Sequence, residues 1–306
     1  MLRRAIPALL TCAAVLLTAT VQAKTLNISL ILSDNSPPYR QFADSFGSSL
    51  AAGKADVSIV ESPVAGGIDA DLIIAVGMKA AELSTAQTGT PVLVVMIPKA
   101  GYDGLPAQTS PQKITRAISA IYLDQPIDRQ LDFLHAALAN RHRIGLLYSP
   151  GTHLDLARMS QDIARRGGSL VAQPVHSVEK LFSGLESVLA DSDVLLAVPD
   201  SLIYSSSNIR NILLTSYRHR VPLIGLSQSY VNAGALYAIF STPEQLAEQA
   251  SSAVIMFART RQLPDPQYPA TFTIAVNPQV ARSLDIELPS PEAIRHQMES
   301  AKEVGR

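Results

Sequence analysis

The sequence is poor in the groups that usually carry chemistry. Its 306 residues hold one cysteine, Cys12, within a leading apolar stretch, so the chain beyond it has no thiol. Disulfides, thiolate metal sites and cysteine nucleophiles are excluded there. Charged residues are only 17% of the chain and the net charge is -1, with the basic residues scattered. Such a balance gives no electrostatic footprint for nucleic acid or for an anionic membrane. No serine sits in a Gly-x-Ser-x-Gly elbow, no histidines pair at metal-ligand spacing on a helix, and no glycine-rich phosphate loop follows a strand. The nearest approach, Ala65 Gly66 Gly67, has two glycines and precedes a strand. These absences argue against an enzyme, a metal and a cofactor. Low-complexity tracts and short repeats are missing too.

What remains is a chain built to bury surface. Hydrophobic residues make up 47%, and 306 residues exceed what one core usually serves, so about two domains are expected. The first residues stand apart. Met1 Leu2 Arg3 Arg4 precede an apolar run over residues 5–19 and then Val21 Gln22 Ala23. A basic start, an apolar middle and small residues at the end predict a signal peptide over 1–23, cleavage after Ala23 and export. The alternative is an uncleaved anchor, but the run is shorter than the roughly 20 residues of a spanning helix. Lipidation at Cys12 is disfavoured because Leu9 Leu10 Thr11 makes a poor lipobox.

Short, uniformly apolar runs alternate with helical patterns through the rest. Strands are expected over 25–33, 57–60, 70–76, 91–97, 144–148, 169–173, 193–198 and 221–226, with helices between them. Residues 98–112, broken by Pro98, Gly101, Gly104, Pro106 and Pro111, are expected to form a loop. Continuous apolar strands alternating with helices mean parallel sheets covered on both faces. The seam lies in 121–150, where Asp124 and Pro126 open a helix with Leu131, Leu134, His135 and Leu138 on one face, and the 144–148 strand starts a second set. The fold class is therefore α/β, with two Rossmann-like, doubly wound halves. Further strands at 234–241 and 271–276 flank a long helix at 243–259. If they return to the first half and cross again, the chain passes between the halves three times. Residues 291–306 are expected to be helical and peripheral.

Two Arg-His-Arg triplets, Arg141 His142 Arg143 and Arg218 His219 Arg220, fall at helix C-terminal ends just before buried strands, where cations meet the negative end of the helix dipole. Ligands of doubly wound sheets bind instead outside the carboxyl ends of the strands. The loops to watch are thus 33–36 with Asp34, then Gly77 and Met78, then Tyr148 and Ser149, then Pro199 and Asp200, and 227–230 beginning at Ser227. They are polar and small, suited to a small polar or zwitterionic ligand. Asp200 either holds a ligand ammonium or caps the turn that follows it. Tyr148 and Met78 each have core packing as the alternative role.

Several segments recur together in a known family. They are Asp71 Leu72 Ile73 Ile74 Ala75 Val76 Gly77 with Ala80 Ala81; Gln130 Leu131 followed by Ile144 Gly145 Leu146 Leu147 Tyr148 Ser149 Pro150 Gly151; Pro199 Asp200; Pro222 Leu223 Ile224 Gly225 Leu226 Ser227; Tyr230 Val231 Asn232 Ala233 Gly234 Ala235; and Asn277 with Ala281 and Leu284. In order and spacing the chain resembles the ABC-transporter substrate-binding protein family whose better-known members bind tryptophan and tyrosine. The resemblance implies a type I periplasmic-binding-protein fold with ligand between two lobes joined by three hinge crossings. Lobe I would comprise 24–118 plus 238–268, lobe II 119–237 plus 269–290, and 291–306 a tail. It also implies that Gly77, Met78, Tyr148, Ser149, Asp200 and Ser227 sit where the family contacts ligand. The sequence departs from the family at Ile97 Pro98, at 114–119 and at 238–242, so amino-acid specificity is not carried over. The implied role is an exported, monomeric solute-binding protein that delivers a ligand, possible amino acids included, to an ABC permease. The alternative is an extracytoplasmic sensor that signals to a membrane receptor and transports nothing.

Overall fold

The computed structural model describes residues 25–62, 70–86, 89–105, 117–152 and 154–304. The expected signal peptide, Cys12 and the Ala65 Gly66 Gly67 segment lie outside the described residues. The first sheet joins β1 (Leu26–Leu32), β2 (Val57–Glu61), β3 (Leu72–Val76), β4 (Val92–Ile97) and β5 (Ile118–Tyr122). Their order is β2-β1-β3-β4-β5 and every pairing is parallel. The pleat sends alternate side chains of β3 to opposite faces. Leu72, Ile74 and Val76 meet Phe42, Phe46, Leu246, Val254 and Phe257 on one side. Ile73 and Ala75 meet Ala80, Ala81 and Tyr102 on the other. Both faces being covered, β3 and β4 are buried along their whole length, which is why they read as unbroken apolar runs.

The second sheet holds β6 (Arg143–Tyr148), β7 (Ser169–Pro174), β8 (Val194–Leu196), β9 (Leu223–Gly225), β10 (Tyr237–Phe240) and β11 (Thr273–Val276). Its order is β11-β10-β9-β8-β6-β7, parallel except where β11 runs antiparallel to β10. Here too the faces divide: Leu146, Leu196 and Ile224 enter one core, while Leu147, Leu195 and Leu223 enter another.

The chain crosses between the sheets after Tyr122, after Phe240 and after Thr260. These positions differ from the expected boundaries. The sequence leads one to expect the first crossing near 117–123, but Val92 pairs with Ile118 and Val94 with Ala120, making β5 the edge of the first sheet. Residues 237–240 pair with β9, so the return to the first half starts only at the Pro243–Thr260 helix. A threonine capping box at Thr242 and Gln245 starts that helix, and its inner face packs against Phe42 and Phe46 of the Pro37–Ala52 helix.

Three smaller expectations also change. A short helix, Lys99–Asp103, occupies part of the expected loop; a second, Gln228–Ala233, follows β9. The Pro291–Val304 helix is not peripheral, because Ile294 and Met298, four residues apart, are buried in the core that holds Leu131, Leu134 and Leu138. Among the described residues no helix is long and apolar enough to cross a membrane.

Candidate ligand-binding cleft

The crossings lie close together and are held by polar contacts. The third runs beside β5, where the Tyr122 amide donates to the Gln267 carbonyl at 2.9 Å and the Gln267 amide to the Ala120 carbonyl at 2.9 Å. Buried Gln125 links all three. Its amide nitrogen donates to Ser241 Oγ at 2.9 Å, that hydroxyl donates to the Thr271 carbonyl at 2.6 Å, and its amide oxygen accepts from Arg129 at 2.5 Å. Arg129 also donates to the Pro269 carbonyl at 2.8 Å and lies 5.1 Å from the Phe272 ring centre.

Beside this junction is a cleft of about 380 Å³. Its walls follow the carboxyl ends of four strands: Pro98 to Ala100 after β4, Asp124 after β5, Thr152 after β6, and Val198 and Pro199 after β8. That is where open α/β sheets hold ligands. Pro126, Ile127, Leu154 and Met159 add apolar surface, and Tyr268 of the third crossing adds an aromatic wall. Tyr268 is buttressed by Tyr122 at 5.1 Å between ring centres, and Tyr122 by Tyr102 at 5.7 Å. Burial pushes the Tyr122 phenol up to about 12.

Most charges in the cleft have partners. Lys99 Nζ meets Asp103 at 2.5 Å. The Arg158 guanidinium stands 3.7 Å from both Asp128 and Asp162, and Asp162 also takes Arg165. Asp155 caps the Leu156–Arg165 helix by accepting from the Arg158 amide at 2.9 Å. Asp124 differs. One of its oxygens accepts from the Lys99 amide at 2.9 Å, and among the described residues it forms no salt bridge. Burial raises its pKa, with the Lys99 amide acting in the opposite direction.

None of the seven residues singled out from sequence lines this cleft. Asp34, exposed, accepts from the Ser36 amide at 2.7 Å in the turn before the first helix, and that bonding to Ser36 lowers its pKa. Gly77 adopts φ +85°, and a Cβ there would stand 2.5 Å from Tyr39 Oη and 2.6 Å from Ser33 Oγ. Only glycine satisfies both the backbone and the space. Met78 turns its sulfur onto Gly101, next to cleft residue Ala100. Ser227 precedes the Gln228–Ala233 helix without a side-chain capping bond.

Ser149 and Asp200 do come together, and Tyr148 leads into them from the end of β6. One Asp200 oxygen accepts from the Ser149 amide at 2.8 Å and from Thr152 Oγ1 at 2.5 Å. The other accepts from the amides of Leu202 at 3.0 Å and Ile203 at 3.2 Å. Burial works to raise this carboxyl's pKa, but the bonds from Thr152, Ser149 and Ile203 hold it below the usual value. Thr152 lines the cleft, so Asp200 sits directly behind the wall. Sequence reasoning missed Asp124, Lys99, Arg158 and Tyr268. Asp124 had a usable signal: it follows an apolar run, and recognising that run as a strand places it at a carboxyl end.

The Arg-His-Arg triplets serve the scaffold. Arg143 pairs with Asp193 at 2.8 Å, Arg141 donates to the Asp193 carbonyl at 3.0 Å, and Arg220 meets Asp285 at 3.0 Å. Among the described residues no cluster of His, Cys, Asp and Glu could hold a metal ion.

Solved structures share this architecture. A ligand-free, open substrate binding protein with adhesive properties from Clostridium difficile superposes with a TM-score of 0.64 at 17% identity, covering 88% of this chain and 97% of that one. A conserved domain protein from Vibrio cholerae gives 0.61 at 18% identity, over 90% and 98%. An ABC domain from Streptococcus pneumonia in complex with L-Trp gives 0.61 at 16% identity, over 88% and 98%. The fold is that of type I periplasmic binding proteins. Curated protein sequences returned no match. The profile described as ABC transporter substrate binding protein, however, matches residues 52–301. With two largely parallel sheets, three crossings and a cleft at their strand ends, the chain belongs to the ABC transporter substrate binding protein family, whose members bind solutes and are not enzymes.

Proposed function

We propose that this protein is exported to the periplasm, captures a small polar or zwitterionic solute between its two halves, and presents it to an ABC permease. The observation that carries this reading is the cleft itself, which opens at the strand carboxyl ends beside all three crossings. The halves would act as lobes, 25–122 with Pro243–Thr260 in one and 127–240 with 273–283 in the other. Closure about the crossings would bring Tyr148 and Ser149 of one lobe toward Gly77 and Met78 of the other. An L-Trp-bound neighbour makes amino acids the first solutes to try. For closure to follow binding, the solute must favour the closed form; a swing from 1:99 to 99:1 needs about 5.5 kcal/mol of differential affinity.

The test is a thermal-shift screen of residues 24–306 against amino acids, amines, sugars, purines and organic acids. A solute at a hundredfold over its Kd adds about 2.7 kcal/mol of stability, a rise of several degrees for a chain this size. Flat curves at millimolar solute would overturn the reading.

A further inference from the structure

We propose that Asp124, and not Asp200, is the carboxylate that grips the solute, and that the cleft therefore selects molecules bearing a protonated amine. This rests on the reading of the cleft as the solute site. Asp200 is the aspartate that the resemblance points to, yet its two oxygens already accept from Ser149, Thr152, Leu202 and Ile203. A carboxylate offers about four lone-pair sites. Turning Asp200 toward a solute would strip bonds from the Ser149–Thr152 turn that forms part of the wall, and unmade buried bonds are costly.

Asp124 presents the opposite situation. It lines the cleft at the end of β5, accepts one main-chain hydrogen bond from Lys99, and has no cationic partner among the described residues. Neither nearby cation pairs with it: Lys99 acts on it by charge alone while its ammonium reaches to Asp103, and Arg158 stands between Asp128 and Asp162. A partly desolvated carboxylate in this position gains most from a ligand cation that replaces lost water. It also penalises a free carboxylate or phosphate placed beside it. Tyr268, 5.1 Å from Tyr122 across the same wall, supplies a ring face suited to an ammonium or to the carbon skeleton that carries it.

The experiment is calorimetric titration of residues 24–306 with an amino acid found to bind, its N-acetyl derivative and its deaminated acid, repeated on Asp124→Asn and Asp200→Asn. Asn keeps an oxygen for the Lys99 amide, so the fold at β5 is preserved. The expected result is a loss of about a hundredfold in affinity for the amine on Asp124→Asn, as for truncated buried charge pairs. The N-acetyl derivative should bind wild type about a hundredfold more weakly and should lose less than threefold further on Asp124→Asn. A merely structural Asp124 would weaken both ligands alike, and that outcome overturns the proposal. So does the coupled loss appearing on Asp200→Asn instead. If wild type binds only sugars or anions, the solute-binding reading stands and this inference fails; if no class of solute binds, both fail.

Discussion

Two aspartates stand just beyond strand ends, one in each half of the molecule, and they have opposite surroundings. Asp200, after β8, is met by two main-chain amides of its own turn and by an amide and a hydroxyl from the Ser149–Thr152 turn. Asp124, after β5, is met by the Lys99 amide and, more weakly, by its own. The same side chain is thus structural in one half and available in the other. A carboxyl-end position brings a residue to the ligand side of the sheet, but the donors within reach decide whether any bonding capacity is left over.

Removing the structural member should have the largest effect. Asp200→Ala removes the acceptor of four donors, of which the Ser149 amide and the Thr152 hydroxyl keep a bond within their own turn; at about 1 kcal/mol for each of the Leu202 and Ile203 bonds and about 0.5 kcal/mol for each of the other two the loss is about 3 kcal/mol. In a thermal melt that is a fall of roughly 6–12 °C; a fall under about 2 °C would erase the contrast. Gly77→Ala probes the first half next. It forces a side chain into a left-handed backbone and against Tyr39 and Ser33, and should cost about 2 kcal/mol in chemical denaturation. At the junction between halves, Gln125→Ala removes the amide that joins the crossings. It should cost about 1–2 kcal/mol and increase amide hydrogen exchange at residues 119–125 and 264–273 before the sheet centres.

The smallest effect is also the sharpest, because the two carboxyls should respond to pH with opposite signs. The folded-state pKa of Asp200 lies below its unfolded value of about 3.9. Its stabilising share is therefore present above about pH 4 and is lost as pH falls through the lower, folded value. The folded-state pKa of Asp124 is raised. Its favourable share is present below about pH 4 and is lost as pH rises through the folded value, so at pH 7 ionised Asp124 weakens the fold. Asp124→Asn should melt above wild type at pH 7 and level with it near pH 3.5, whereas Asp200→Asn should melt below wild type at pH 7, with the gap narrowing in acid. Parallel pH profiles would break the comparison.

The scaffold was legible in the sequence where burial is two-sided. β3 and β4 stand out because Leu72 to Val76 and Val92 to Ile97 are buried without a break. β5 was misjudged because its run is short and ends at a turn, and only pairing with β4 reveals it as a strand. The Lys99–Asp103 helix hides behind Pro98 and between glycines. The Pro291–Val304 helix shows its core side through only Ile294 and Met298. The cleft was less legible than the fold, since its walls combine residues 98–103, 124–130, Thr152, 154–162, 198–199 and 268, and the parts from the two halves meet only through the crossings. Local pattern can mark Asp200 and Asp124 as strand-end acids; it cannot count the donors that long-range folding brings to each.

The pairing of the Pro37–Ala52 and Pro243–Thr260 helices sets a schedule for the chain. Ser251 Oγ lies 3.4 Å from the Phe46 carbonyl, 205 residues away in sequence. The first sheet covers Phe42 and Phe46 on one side, but the side that faces the Pro243–Thr260 helix has no cover until most of the polypeptide has emerged from the ribosome. Late closure of so distant a contact is slow and leaves an apolar face open to chaperones in the meantime. A chain ending before Pro243 would keep that face exposed permanently, so the early half of this protein waits on its late half to become a finished object.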